Sequence, residues 1–347
     1  TLVAQPFDLD TFSLYGDPTP LAERVIRDPN FGIGVFSVAE GGVLCYQAGS
    51  ITGGRLNWVN RAGIVTGTLS ERAEYEEFAL SRNGELIAAT INDSDGRSDI
   101  WIIDAERGTQ RRFTFTPEGS RIRRAEVKWS PDSEFVVYSV ETDSGTALGK
   151  KFTDGASDEE TLLAIPGVNV WPYDVGPQGK WVLFGKQDGA GNEDLWIVDS
   201  NGEGEPRPLF ETPFDEWPGT ISPDGQWLAF DSNETGRREI FVTPFPDGGG
   251  RWQVSRGGGR FPRWSHDGSE LYYANLHGSL MVVDVEDTTT DAVFESLEPE
   301  QLFSPGVSSG IYSGTYGSYG LDPNGERFLL LEVASQGATL SLFQNWD

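Results

Sequence analysis

Residues 217–264, WPGTISPDGQWLAFDSNETGRREIFVTPFPDGGGRWQVSRGGGRFPRW, decide the fold, because they read as one four-stranded unit that the rest of the chain repeats. Thr220 and Ile221 make a short apolar strand, and Ser222-Pro223-Asp224-Gly225 reverses the chain, since Pro and Gly preset the dihedrals of a tight turn. Trp227 to Phe230 reads as a second strand. A polar loop, Asn233 to Arg237, leads to a third at Ile240 to Thr243, and Gly248, Gly249 and Gly250 turn into a fourth at Trp252 to Ser255. A unit of roughly 45 residues with four short strands has no means of burying both faces alone, so it must stack against copies of itself.

The turn at Ser222 recurs as Ala39-Glu40-Gly41-Gly42, Ser81-Arg82-Asn83-Gly84, Ser130-Pro131-Asp132-Ser133, Gly176-Pro177-Gln178-Gly179, Ser265-His266-Asp267-Gly268 and Asp322-Pro323-Asn324-Gly325. In chain order the seven corners are 42, 49, 46, 46, 43 and 57 residues apart. Corners at a blade-sized period predict an all-β propeller of four-stranded antiparallel blades, because radial repetition protects the edges that separate small sheets would expose. Seven blades are expected, with six or eight as alternatives, and residues 1–347 are read as one propeller domain. Residues 1–22 carry the strand-like segments Thr1 to Phe7 and Pro18 to Ala22 without a corner of their own, and Leu340 to Gln344 is a late strand. Together they are expected to close the ring with strands from both termini; which terminus supplies the outer strand stays open.

A second signal runs in phase with the corners: Gly96-Arg97-Ser98-Asp99-Ile100-Trp101, Gly191-Asn192-Glu193-Asp194-Leu195-Trp196 and Gly236-Arg237-Arg238-Glu239-Ile240-Phe241. Trp129-Ser130-Pro131-Asp132 and Ser222-Pro223-Asp224-Gly225, each followed by such a Gly-x-x-acidic-aliphatic-aromatic strand, resemble TolB-type propeller repeats, which are related to WD repeats. Ala4-Gln5-Pro6-Phe7-Asp8, Phe241 to Pro246, Gly258 to Trp264 and Gln344-Asn345-Trp346 resemble, more narrowly, the non-catalytic propeller that lies C-terminal to the membrane anchor of some bacterial serine/threonine protein kinases. The resemblance spans essentially the whole chain. It implies a sensor or interaction module, extracytoplasmic and bacterial, carried by a longer membrane-anchored chain. The kinase portion itself is not represented: no Gly-rich phosphate loop precedes a Val-Ala-x-Lys strand, and neither His-Arg-Asp nor Asp-Phe-Gly occurs.

Composition narrows the partners. The 54 acidic against 26 basic residues give a net charge of −28, which repels phosphate backbones and anionic membrane surfaces and so disfavours nucleic acid. No run of about 18 apolar residues is present to span a bilayer. The single cysteine, Cys45, excludes an intrachain disulfide and reads as a small apolar residue in Val43-Leu44-Cys45-Tyr46. The first residue is Thr rather than Met, consistent with a removed signal segment or with a piece of a longer chain.

Three chemistries are weighed and set aside. Gly306-Val307-Ser308-Ser309-Gly310 matches a nucleophile elbow, but a Gly/Ser/Tyr loop follows it where a helix is required, and no histidine lies beyond His277. His266 in a corner and His277 in a loop are expected at opposite ends of a strand, too far apart for one zinc or manganese ion. Asp93-Ser94-Asp95-Gly96 and residues 188–194 offer oxygens for calcium, yet Ile91 stands where the first carboxylate of an EF-hand belongs, so no cofactor is expected and the loops read as solvated turns.

What remains is the mouth of the axial channel, formed by the segments that lead into each innermost strand. Its expected residues are Tyr75, Arg121, Arg124, Trp171, Tyr173, Asp215, Glu216, Trp217, Arg260, Arg263 and Tyr312. Aromatics give flat apolar contact, Arg gives planar bidentate recognition and carboxylates orient hydroxyls or cations; the same charges could equally pair with one another as bridges between blades. The function expected is a non-catalytic module for a protein, small-molecule or carbohydrate ligand. A hydrolase or lyase acting on an ester or sugar, and a structural surface protein, stand as alternatives, because fold alone does not decide function.

Overall fold

The structure, a computed structural model, describes every residue except 1, 23–24, 26–35, 40–42, 94–96, 121, 143–144, 188–190, 287–292, 305–318 and 345–347; for 47–52, 333–340 and 343–344 it describes the backbone alone. The chain is almost wholly β and divides into two compact units, residues 55–332 and residues 1–54 with 333–347.

Residues 55–332 form the propeller. Among the described residues they build six four-stranded antiparallel blades. Blade I comprises Glu74–Leu80, Leu86–Asn92, Ser98–Asp104 and Gln110–Arg112, and blade II comprises Arg123–Trp129, Phe135–Thr142, Gly145–Phe152 and Glu160–Leu163. Blade III is made of Val170–Val175, Trp181–Gln187, Glu193–Asp199 and Arg207–Pro208. The repeat quoted above supplies blade IV, with Glu216–Ile221, Trp227–Ser232, Glu239–Pro244 and Trp252–Gln253. Blade V follows with Arg260–Trp264, Glu270–Ala274, Leu280–Asp284 and Glu300–Phe303. Blade VI joins distant parts of the chain: Tyr319–Leu321 and the first part of Arg327–Gln344 pair onward with the last part of Val43–Asn60 and then with Val65–Thr68. Asn57 donates to Glu332 across this join at 2.6 Å.

Six blades are one of the counts the corners allowed, and they are counted among the described residues. The corner at 39–42 lies outside the described residues apart from Ala39; on its two sides Ala39 stands opposite Val43 and Phe36 opposite Tyr46. As expected, strands from both ends of the sequence meet in blade VI, and the N-terminal share comes from residues 55–68. The reason is burial: Leu56 and Trp58, on one face of their strand, are fully enclosed, whereas Phe7, Leu9, Phe12 and Leu14 remain exposed. Within their own unit, Leu2–Ala4 pairs with Thr19–Ala22 and Phe7–Asp8 with Ser13–Leu14.

Each buried cluster of the propeller draws on two consecutive blades, as stacking of one-faced units requires. Trp227, Ile240 and Val254 of blade IV pack with Trp264, Leu271 and Val283 of blade V, while Tyr173, Leu183 and Leu195 of blade III pack with Leu228 and Phe230 of blade IV. Indole donors add links between inner strands: Trp129 to the Ala79 carbonyl at 2.9 Å and Trp264 to the Thr220 carbonyl at 3.2 Å.

The corners are locked by their own side chains. Ser130 donates to Asp132 at 2.7 Å and accepts the Phe135 amide at 2.9 Å; Ser265 does the same with Asp267 and the Glu270 amide. Gly225 closes its turn with φ of 76°, a left-handed value that costs glycine nothing. The acidic residue of the third-strand motif is likewise scaffold. Asp99 accepts the Thr116 amide and both Thr114 and Thr116 hydroxyls, and Glu239 accepts from Ser255 and the Gly258 amide, so each ties its strand to the segment that leaves the blade.

Candidate functional site: two ends of an axial channel

The last residues of the six inner strands and the corners that follow them line a cavity of about 130 Å³, the corner end. The opposite end, where those strands begin, is the front. Each inner strand from blade I to blade V breaks register once, between Tyr75 and Glu77, Ala125 and Lys128, Pro172 and Asp174, Glu216 and Gly219, and Arg260 and Arg263. Such a bulge bends a strand and re-aims the side chain of its extra residue. Glu126 and Phe261 adopt φ of 51° and 58° at these breaks, a conformation that costs a residue with a Cβ about 1 kcal/mol or more.

At the front, cations are consumed by the protein's own carboxylates. Arg238 donates to Asp231 at 2.6 Å and to Asp215 at 3.3 Å, and its guanidinium lies 4.9 Å from the Trp217 ring, with that of Arg260 at 4.6 Å. Arg123 pairs with Glu76 and, at 2.6 Å, with Glu141. Arg251 pairs with Glu234 at 2.6 Å and Glu216 at 3.4 Å. The carboxylates are not all consumed in return. Glu76 Oε2, Glu126 Oε2, Glu193 Oε1 and Glu216 Oε2 are buried without a hydrogen-bond partner among the described residues.

Burial also moves their protonation. Glu126 is pushed up to about 7, first by desolvation and then by the neighbouring charge of Glu77, with Ser139, Lys128 and Arg123 opposing. Desolvation holds Glu193 well above the usual carboxylate range against Arg238. Asp231 rises to about 6 by burial, offset by Arg238 and Arg260, and Glu216 to about 7 by burial, offset by Thr212 and Arg251.

At the corner end the lining is set by the residue two before each corner, namely Ala79, Lys128, Asp174, Thr220, Arg263 and Gly320, one from each blade. Lys128 donates to Glu77 at 2.8 Å. Asp174 accepts from the Thr220 hydroxyl at 3.0 Å and the Ile221 amide at 2.8 Å. Arg263 lies over the Tyr319 ring at 5.2 Å.

The eleven expected residues are therefore dispersed. Trp217 and Arg260 meet at the front beside Asp215. Tyr173 and Arg263 line the cavity. Arg124 turns into blade II, where it pairs with Glu159 at 3.0 Å and donates to Thr116, and Glu216 turns outward along blade IV to Thr212 and Arg251. Tyr75 is half-buried, with its hydroxyl pKa raised by desolvation. Trp171 packs against the cluster shared by blades III and IV. Arg121 and Tyr312 lie outside the described residues, as do Ser308 of the elbow-like pattern, Ser94 to Gly96 and residues 188–190. Among the described residues no group of three or more His, Cys, Asp or Glu is placed to hold a metal ion, and no helix is long and apolar enough to cross a membrane. Lys128, Glu126, Glu193 and Asp231 were not anticipated; Asp174 lies in the segment 171–174 expected at the mouth. Aligning the repeats on their corners would have exposed Lys128, since the column two places before the turn carries Lys, Asp and Arg where its neighbours are apolar.

No family model and no curated protein matches the chain. Among solved structures, a protein described as TolB from Agrobacterium tumefaciens matches with a TM-score of 0.60 at 16% identity, over 83% of this chain and 100% of that one. TolB from Acinetobacter baumannii matches with a TM-score of 0.52 at 14% identity, over 88% of this chain and 80% of that one. At this identity the likeness speaks for fold. With its corner-locked blades arranged around one axial cavity, the chain has the TolB-like β-propeller fold.

Proposed function

We propose that the propeller is a non-catalytic module that captures a segment of a partner protein at the front of its channel, and that this segment presents a basic side chain. The observation that carries the reading is the set of buried carboxylate oxygens without partners, Glu76 Oε2, Glu126 Oε2 and Glu193 Oε1. Buried acceptors left unsatisfied cost free energy, so a donor that reaches them gains what the empty site lacks. The net charge of −28 attracts the same kind of partner over longer distances, and Trp217 beside Arg260 and Phe261 adds aromatic surface of the sort that anchors interfaces. An extracytoplasmic place, in a longer membrane-anchored chain of the kinase-linked type, accords with the sequence resemblance and belongs to the same proposal.

The hydrolase or lyase reading retains one specific support. Glu126 titrates near 7 beside the second carboxylate Glu77, and a carboxyl poised at working pH suits general acid–base work.

Selection of a displayed random-peptide library on the full chain tests the binding reading. Enriched peptides should carry Lys or Arg, and Glu126→Gln should weaken them by about tenfold, the scale of one charge-assisted contact. Peptides that bind Glu126→Gln and Glu193→Gln as tightly as the parent protein would overturn it.

A further inference from the structure

We propose that the corner end of the channel is a separate binding site for a small organic carboxylate, seated on the Arg263 guanidinium. Arg263 is half-buried, and its Nε is enclosed without a hydrogen-bond partner. Among the described residues no carboxylate pairs with it, in a chain with 54 acidic residues to choose from. Its one close neighbour of note is the face of Tyr319 at 5.2 Å, which positions the guanidinium without satisfying its donors. A buried donor left open marks a place where an acceptor belongs.

The surroundings fit an acceptor with negative charge. Arg82 shares the cavity wall with Arg263, and Lys128 on the same wall is held by Glu77. The two carboxylates on that wall are engaged elsewhere: Asp174 with Thr220 and the Ile221 amide, and Asp322 with Arg327 at 3.2 Å. The local surplus is positive although the whole protein is strongly negative. The planar guanidinium fork matches a carboxylate in bidentate fashion. Leu80, Trp264 and Leu321 line it together with Ser81, Ser265 and His266, and the three apolar side chains give the hydrocarbon body of an organic acid a contact that inorganic phosphate lacks. A cavity of about 130 Å³ admits a short acid rather than a polymer.

This site stands apart from the capture of a basic segment at the front, where the open groups are acceptors, so failure of either leaves the other intact. Calorimetric titration of the full chain with acetate, succinate and benzoate, and with inorganic phosphate, tests it. At least one carboxylate should bind saturably; Arg263→Gln should weaken it by about tenfold or more and Arg82→Gln by a few-fold, while Arg256→Ala, on the outer surface, should leave it unchanged. Absence of saturable carboxylate binding, or equal binding by a folded Arg263→Gln variant, overturns the site. Phosphate binding as tight as the best carboxylate overturns the assignment to an organic acid. Should Arg263→Gln fail to fold, Arg82→Gln decides: unchanged affinity there counts against the proposal.

Discussion

The two ends of the channel are built from the same residue types and leave opposite groups open. At the front, the guanidiniums of Arg238, Arg123 and Arg251 are held by Asp231, Glu76 and Glu234, and what stays open is oxygen, on Glu76, Glu126 and Glu193. At the corner end, Asp174 and Asp322 are held by Thr220 and Arg327, and what stays open is the Nε of Arg263. The difference teaches that the presence of Arg, Asp and aromatics around a mouth says little about what binds there. The informative quantity is which donor or acceptor remains after internal pairing, because a paired charge is already stabilised and a buried unpaired one is not.

The two ends differ most at the best-paired point of the front, Arg238 with Asp231. Arg238→Ala should destabilise the propeller by about 3 kcal/mol at pH 8, because it strands the fully buried Asp231, and by less at pH 5, where Asp231 can protonate. Urea unfolding at the two pH values measures this, and a loss that does not depend on pH would break the link to Asp231.

Next in size is the pH dependence of the front. The folded-state pKa of Glu126, about 7, lies above its ordinary 4.5, so the folded protein holds this proton more tightly than the unfolded chain does. Its contribution is therefore present at low pH and is lost as pH rises from about 4.5 to about 7, worth up to roughly 3 kcal/mol. Glu126→Gln should flatten that slope and make the protein more stable than the parent at pH 8. The opposite trend governs Asp267, which hydrogen bonds from Ser269 and then Ser265 lower to about 2; its contribution is lost only as pH falls below about 4 towards 2. Thermal midpoints across pH 3 to 8 separate the two.

The smallest effect sharpens the contrast. Arg263→Gln removes a charge with no carboxylate partner among the described residues, so in the absence of ligand its stability should change by less than about 1 kcal/mol, against about 3 kcal/mol for Lys128→Met, which strands the buried Glu77. Chemical unfolding of both variants gives the ratio, and a large loss at Arg263 would mean that its charge is in fact satisfied within the fold.

Much of the architecture was legible beforehand because corners obey local rules. Ser130 and Asp132, or Ser265 and Asp267, lock a turn with atoms only a few residues apart, so the pattern that forms the turn is also the pattern that reveals it. The third-strand acids were legible as a motif but not as scaffold, since the partners of Asp99 lie at Thr114 and Thr116. The termini were the least legible part: the segment beginning at Ala39 shares the corner pattern, and Leu56 and Trp58 carry no label that ties Asn57, between them, to Glu332.

The all-β class, the repeat and the corners were written in the sequence alone, because these follow from residue spacing. Only the tertiary structure decided which charges pair across blades, and hence which oxygens stay open at the front and that Arg263 stays open at the corner end. Register breaks at Glu126 and Phe261 re-aim side chains, and ion pairs such as Lys128 with Glu77 join residues far apart in the chain. Such pairing is fixed by the packing of one blade on the next, which no local stretch of sequence encodes.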